Sequence, residues 1–246
     1  MKKNNPKKKQ HSSTFIINEK TGFYIKEAYR AARTNLGFAL SGGEGCKIVA
    51  VTRAFAGDGK TTTSVNLAIS IAQANNRVLL IDADMRKSSV RRYLDLQKTQ
   101  GLSNILSGAS HVIDEVIIKT QFGFDCITAG PTPSNPAELL MSNITKDMLE
   151  LLSQHYDYIL IDTPPVSIVS DALVLSKLVT GFVVTVSELS STINEVTDTI
   201  RALEFSDAKI LGFIYNKSEI NSSYDYKYKY RYKNYGRKYG YYRAYK

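Results

Sequence analysis

Apolar positions along the 246-residue chain follow two alternating rhythms. Short apolar or β-branched runs read as buried strands. These are the stretch around Ile48, Val49 and Val51, then Val78–Ile81, Phe124–Ala129, the YILID run ending at Asp162, Phe182–Val186 and Lys209–Tyr215. Helix-compatible segments separate them: Tyr24–Leu40, the TTTSVNLAISIAQAN stretch after Lys60, Gly101–Gly108, Asp171–Leu178 and Thr192–Phe205. Another helix starts at Asn135-Pro136, where Asn135 can cap, Pro136 takes the first helical position and Glu138 completes a capping-box-like pattern. Strands alternating with helices at this spacing predict an α/β fold, a mostly parallel sheet with helices on both faces.

The strand near Ile48 runs into Ala54-Phe55-Ala56-Gly57-Asp58-Gly59, and Lys60, Thr61 and Thr62 open the next helix. A strand, a glycine-containing loop and a helix opened by Lys-Thr form the context of a phosphate-binding loop, and so of a P-loop NTPase. Glycines at 57 and 59 allow successive backbone N–H groups to curl around phosphate oxygens, and the helix N-terminus adds its dipole. Gly57, Asp58, Gly59, Lys60, Thr61 and Thr62 are therefore the nucleotide-binding candidates. Lys60 is placed to reach the β- and γ-phosphates of ATP, and the Thr61 hydroxyl to hold Mg2+. The motif departs from its usual form at its first glycine, where Ala54 stands.

Two further strands end in aspartate. Asp82 and Asp84 follow Val78–Ile81, and in open α/β sheets ligands sit beyond the carboxyl ends of the strands. Turn-forming aspartates are the plainer reading of that pair. Asp162 ends the YILID run before Pro164 and Pro165, the position that holds magnesium in a phosphate-loop enzyme. Asn216, at the end of the last strand, is a candidate adenine contact or a strand-ending turn. On the first helix Glu27, Arg30 and Arg33 recur at spacing three and so fall on one stripe. That stripe is either a solvated charged face or a row of ion-pairing residues facing another subunit.

Charge changes the picture at the two ends. The net charge is +9, of which residues 1–10 carry +5 and residues 222–246 carry +7, leaving −3 for residues 11–221. A slightly acidic globular part argues against a nucleic-acid groove in the folded domain. Two cysteines, Cys46 and Cys126, make no disulfide framework, and no apolar run approaches membrane-span length. The expected organisation is a flexible basic arm over 1–20, a P-loop domain over 21–221 and a disordered tail over 222–246. Ten of the sixteen tyrosines lie in that tail: Tyr224, Tyr226, Tyr228, Tyr230, Tyr232, Tyr235, Tyr239, Tyr241, Tyr242 and Tyr245. With almost no aliphatic residues it cannot bury a core. Alternating Tyr and Lys/Arg could solubilise the chain, stack on single-stranded nucleic acid or serve as phosphoacceptors.

Taken together, Gly59-Lys60-Thr61, the LLIDADMR stretch with Asp82 and Asp84, ILIDTPP with Asp162, GPTPSNPAELL, Glu27-x-x-Arg30-x-x-Arg33 and the tyrosine cluster resemble one family. This is the bacterial tyrosine kinases that regulate capsule and exopolysaccharide synthesis, in the form of the separate cytoplasmic subunit of Gram-positive type. The resemblance implies a Mg-ATP-dependent kinase whose subunits phosphorylate one another's tail tyrosines within a ring joined through Glu27, Arg30 and Arg33. It also implies a membrane-spanning adaptor that activates the kinase, a cognate tyrosine phosphatase, and a cytoplasmic location at the inner face of the membrane through that adaptor. Nucleic acid is not an expected partner. Lys60, Asp82 and Asp84 are then the catalytic candidates and Thr61, Asp82, Asp84 and Asp162 the metal-binding ones. Asp82 is the favoured acceptor of the tyrosine proton, although its role and that of Asp84 are exchangeable on this reading. Ala56 stands where the family usually has proline. The alternative is a positioning ATPase of the MinD/ParA type with a nucleic-acid- or membrane-binding tail, but its signature lysine is replaced here by Phe55.

Overall fold

The computed structural model describes residues 15–54, 57–97 and 99–217. The tail tyrosines, Phe55, Ala56 and the first fourteen residues lie outside the described residues. Seven strands form one sheet in the order β3-β4-β2-β5-β1-β6-β7. They are β1 (Lys47–Arg53), β2 (Val78–Asp82), β3 (Ile117–Lys119), β4 (Asp125–Ile127), β5 (Tyr158–Asp162), β6 (Gly181–Ser187) and β7 (Ile210–Asn216). Every pairing is parallel except β3 with β4 at one edge. The helices are α1 (Phe23–Ala39), α2 (Lys60–Ala72), α3 (Val90–Tyr93), α4 (Leu102–Leu106), α5 (Pro136–Leu140), α6 (Asn143–Ser153) and α7 (Ile193–Phe205).

Alternation along the central strands splits the core between the two sheet faces. Val49, Leu80 and Leu160 point to the face covered by α2, where they meet Val65, Ala68 and Ile69. Leu79, Ile81, Ile159 and Ile161 point to the other, against Leu102 and Ile105 of α4 and Met148, Leu149 and Leu152 of α6. Strands buried on both faces lack a polar side, which is why β2 and β5 read as continuous apolar runs. Helix α7 begins with a reciprocal cap: Thr192 Oγ1 accepts from the Glu195 N–H at 3.3 Å, and Glu195 Oε2 accepts from the Thr192 N–H at 2.7 Å.

Three expectations change. The flexible-arm assignment over 1–20 fails for its last residues, because Ile16 and Ile17 are buried in the α2 face of the core. Asn66 of α2 holds them by their backbone, accepting from the Ile17 N–H at 2.8 Å and donating to Phe15 O at 2.9 Å. The helix expected over Asp171–Leu178 contracts to a single 3-10 turn, Leu173–Leu175. Asp171 does not cap it, since its carboxylate is taken by Arg86 at 2.8 and 3.0 Å. Helix α6 and the short edge strand β3 are additions.

Replacing Asn66 by alanine should release residues 15–17, because one buried amide and one carbonyl lose their partners at about 1–3 kcal/mol each. Hydrogen exchange at the Ile17 amide should accelerate while the central strands stay protected. Unchanged protection there would rule the clamp out.

Candidate functional site

Three neighbouring strands end together. The β2–β5 register sets Asp82 beside Asp162, and the β1–β5 register sets Val51 on Asp162's other side. The chain leaving β1 forms the loop to α2 with Gly57 at φ 99° and Gly59 at φ 80°, left-handed conformations in which a side chain is strained. No side chain caps α2. Its leading amides therefore lack intrahelical acceptors, and with the helix dipole they form an anion cradle of the kind phosphates occupy. Asp58, Lys60, Thr61 and Thr62 sit in or directly after this turn, as the motif requires.

Lys60 is 1% exposed, a burial that a lysine tolerates only beside negative charge. Its Nζ lies 2.6 Å from Asp162 Oδ2 and 3.6 Å from Asp84 Oδ2. The closer contact is electrostatic without hydrogen-bond alignment, so the ammonium donors retain unmet directional capacity. Asp162 is held from below by α2: the Thr61 hydroxyl donates to Oδ2 at 2.8 Å and the Ser64 hydroxyl to Oδ1 at 2.7 Å. Asp82 Oδ2 accepts from Ser88 Oγ (2.9 Å) and from the N–H groups of Ser89 (3.2 Å) and Val90 (3.1 Å). Burial, and then the charge of Asp162, push the Asp82 carboxyl up to about 7, against the opposing pull of Lys60 and these hydrogen bonds.

Two buried carboxylates, Asp162 and Asp84, thus flank the buried lysine, with Asp82 beside Asp162, and oxygen donors grouped this way suit a divalent cation. Among the described residues no group of three or more His, Cys, Asp and Glu side chains could hold a metal by itself. Magnesium does not require one, since it commonly takes one or two carboxylates and completes its shell with phosphate oxygens and water. The Thr61 hydroxyl and Asp162, with Asp82 and Asp84 behind them, fit that donor set.

The loop is braced from outside. Asp58 is fully buried and accepts from Ser190 Oγ at 2.8 Å and Ser191 Oγ at 2.9 Å, both in the segment after β6. Asn216, at the end of β7, donates to Asp58 O at 2.8 Å and to Thr63 Oγ1 at 2.9 Å. Its amide nitrogen therefore grips the loop. The expected interface stripe is divided: Glu27 and Arg30 pair with each other on the exposed side of α1, whereas Arg33 donates to Ser70 O at 2.6 Å on α2.

Several functional partners escaped the sequence reading. Ser64 was accessible, standing three residues after Thr61 on the same helical face. Ser190 and Ser191 carry no local signal, because a loop distant in sequence brings them to Asp58, whereas Ser88 stands only six residues after its partner Asp82.

A family model described as an AAA domain matches residues 46–210. The tyrosine-protein kinase YwqD of Bacillus subtilis is 36% identical over 212 residues, covering 86% of this chain and 89% of that protein. The crystal structure of the chimerical protein CapA2B2 superposes with a TM-score of 0.79 at 33% identity, covering 84% of this chain and 90% of that one. The kinase domain of the Escherichia coli tyrosine kinase ETK gives a TM-score of 0.74 at 35% identity, with coverage of 80% and 78%. Identity of 36% along most of both chains, with superpositions on kinase structures of the same group, shows that the chain belongs to the bacterial tyrosine-protein kinase family.

Proposed function

We propose that this kinase transfers the γ-phosphoryl group of ATP to tyrosines of the 224–245 run of a neighbouring subunit, and that it thereby regulates capsular or exopolysaccharide synthesis and export. The convergence of Lys60, Asp82, Asp84 and Asp162 over the bare N-terminus of α2 carries this reading. Phosphoryl transfer requires in-line positioning and charge neutralisation more than covalent help. The backbone N–H groups of the loop and of the first turn of α2 orient the phosphates. Lys60 turns from Asp162 to the β- and γ-phosphates. Thr61 and Asp162 would hold magnesium, which would supply neutralisation of the developing charge. The tyrosine oxygen bonds to the γ-phosphorus while the bond to the β,γ-bridging oxygen breaks and its electrons leave with ADP. The phenolic proton passes to Asp82, whose raised basicity suits the task; Asp84 then orders the metal shell.

A random coil of 25 residues has a root-mean-square span of roughly 25–30 Å, which is the reach the proposal asks of residues 222–246. A ring joined through Glu27 and Arg30, a membrane-spanning adaptor and a resetting tyrosine phosphatase complete the proposal. Among the described residues no helix is long and apolar enough to cross a membrane. Attachment to the inner face of the membrane would therefore come through the adaptor. The positioning-ATPase reading would need a different output, hydrolysis without transfer.

Intact mass after incubation with Mg-ATP and an adaptor's cytoplasmic segment tests the proposal. A ladder of phosphate additions, absent when residues 222–246 are deleted, is the expected result; ATP hydrolysis with no gain in mass would refute it. Replacing Asp82 by asparagine should lower transfer about 100- to 10,000-fold and leave nucleotide binding measurable. Full activity of that variant would remove Asp82 from the mechanism.

Asp82 also predicts a pH dependence of the nucleotide-free protein. Its carboxyl is raised from 3.8 to about 7 in the folded state, so across that window the native chain holds a proton that the unfolded chain has released. Stability contributed this way is complete below the unfolded value and is lost as pH rises through the folded one. The Tm of the wild type should therefore fall more between pH 5 and pH 7.5 than that of Asp82→Asn. Parallel pH profiles would show that another group is responsible.

A further inference from the structure

We propose that Arg53 is a second cation of the phosphate site and contacts the γ-phosphoryl group of the bound nucleotide. Arg53 is the last residue of β1 and immediately precedes the phosphate-binding loop. Its backbone is fixed by the ladder to β6, where it is registered opposite Thr185, and the next residue, Ala54, donates to Thr185 O at 3.2 Å. From this anchored position the side chain runs inward and is only 16% exposed.

Its guanidinium is poorly satisfied there. Nε is buried and has no hydrogen-bond partner among the described residues. The terminal Nη2 stands 4.0 Å from Asp84 Oδ2, which is too long for a hydrogen bond. A guanidinium cannot shed its charge, so its burial without good partners is costly unless a ligand completes its shell. The same Asp84 oxygen is 3.6 Å from Lys60 Nζ, so the two cations approach one carboxylate together. Strand β5 lies between β1 and β2 in the sheet, so Arg53 reaches across the end of β5, where Asp162 is, toward Asp84. That is the carboxylate end of the site, toward which Lys60 also extends, and the β- and γ-phosphates are the groups a lysine in this motif reaches. An anionic group between Lys60 and Arg53 there is the terminal phosphoryl group, and a planar fork of donors suits its equatorial oxygens.

This assignment rests on the phosphotransfer reading, and its consequence is selective. A cation that touches only the γ-phosphoryl group contributes to binding ATP and not ADP. It contributes further as charge redistributes over the transferring group.

The test uses the full chain with Arg53→Gln and Arg53→Lys, and measures ATP and ADP affinity by calorimetry, with and without magnesium. In Arg53→Gln, ATP affinity should fall about 10- to 100-fold, the range expected for hydrogen bonds to a charged group, while ADP affinity stays within about twofold. The rate of transfer at saturating ATP should fall about 100-fold. Arg53→Lys keeps the charge and should recover part of both losses. It also supplies the reading if removal of the charge beside Asp84 prevents folding. Equal weakening of ATP and ADP, or an unchanged ratio of their affinities, would overturn the proposal and leave Arg53 as a structural partner of Asp84. The phosphotransfer reading fails separately, if the wild type binds ATP yet gains no mass.

Discussion

The buried contact between Lys60 and Asp162 is the constraint around which the site is arranged. Neither charge could be carried into the sheet alone, because an unpaired ion in that environment costs several kcal/mol. The pair exists because β5 runs between β1 and β2, so that the residue ending β5 faces the first residue of the helix that follows β1. Everything nearby then serves one partner or the other. Thr61 and Ser64 donate to Asp162, Asp84 shares the lysine, and Asp82 is left beside Asp162 with a proton to hold. On the proposed reading, nucleotide and cation would replace this contact together: phosphates would take the lysine and the metal would take the carboxylate. Either one arriving alone would strand the other member of the pair. Binding of the two is accordingly expected to be mutually reinforcing, with equal coupling in both directions.

Much of the sheet was legible because its central strands are buried on both faces and so appear as unbroken apolar runs. The phosphate-binding loop was legible because its chemistry is local: two glycines, a lysine and a threonine within five residues. What escaped was long-range or short. Strand β3 has three residues and no period to detect. Helix α6 does carry a signal, since Thr145, Met148, Leu149 and Leu152 are its buried residues at helical spacing, and it was simply passed over. The Asp171 turn misled because an aspartate before an apolar run resembles a cap, and only the fold reveals that Arg86 claims its carboxylate. Asp58 read as a nucleotide-binding loop residue, and only the fold reveals that Ser190 and Ser191 claim its carboxylate.

The Glu27, Arg30 and Arg33 stripe shows where spacing alone becomes ambiguous. A helix advances about 100° per residue, so three steps fall short of a full turn by about 60°. Two such intervals separate Glu27 from Arg33 by about 120° around the axis, enough for opposite fates. Glu27 and Arg30 remain on the outside, and Arg33 turns toward α2.

That inward turn gives α2 an additional character. At its first residue the helix carries the phosphate-binding lysine. Further along, Asn66 holds the segment at Phe15–Ile17, while Ser70 Oγ donates to Tyr29 O and Ser70 O accepts from Arg33. Lys60 and Ser70 are about 15 Å apart along a continuous helical axis, with no loop between them to absorb movement. The helix is thus a shaft with the buried Lys60 at one end and α1 seated on its flank. Distance from the nucleotide is consequently a poor guide to which substitutions matter in this chain: residues 66 and 70, two and three turns away, are mechanically part of the same bearing.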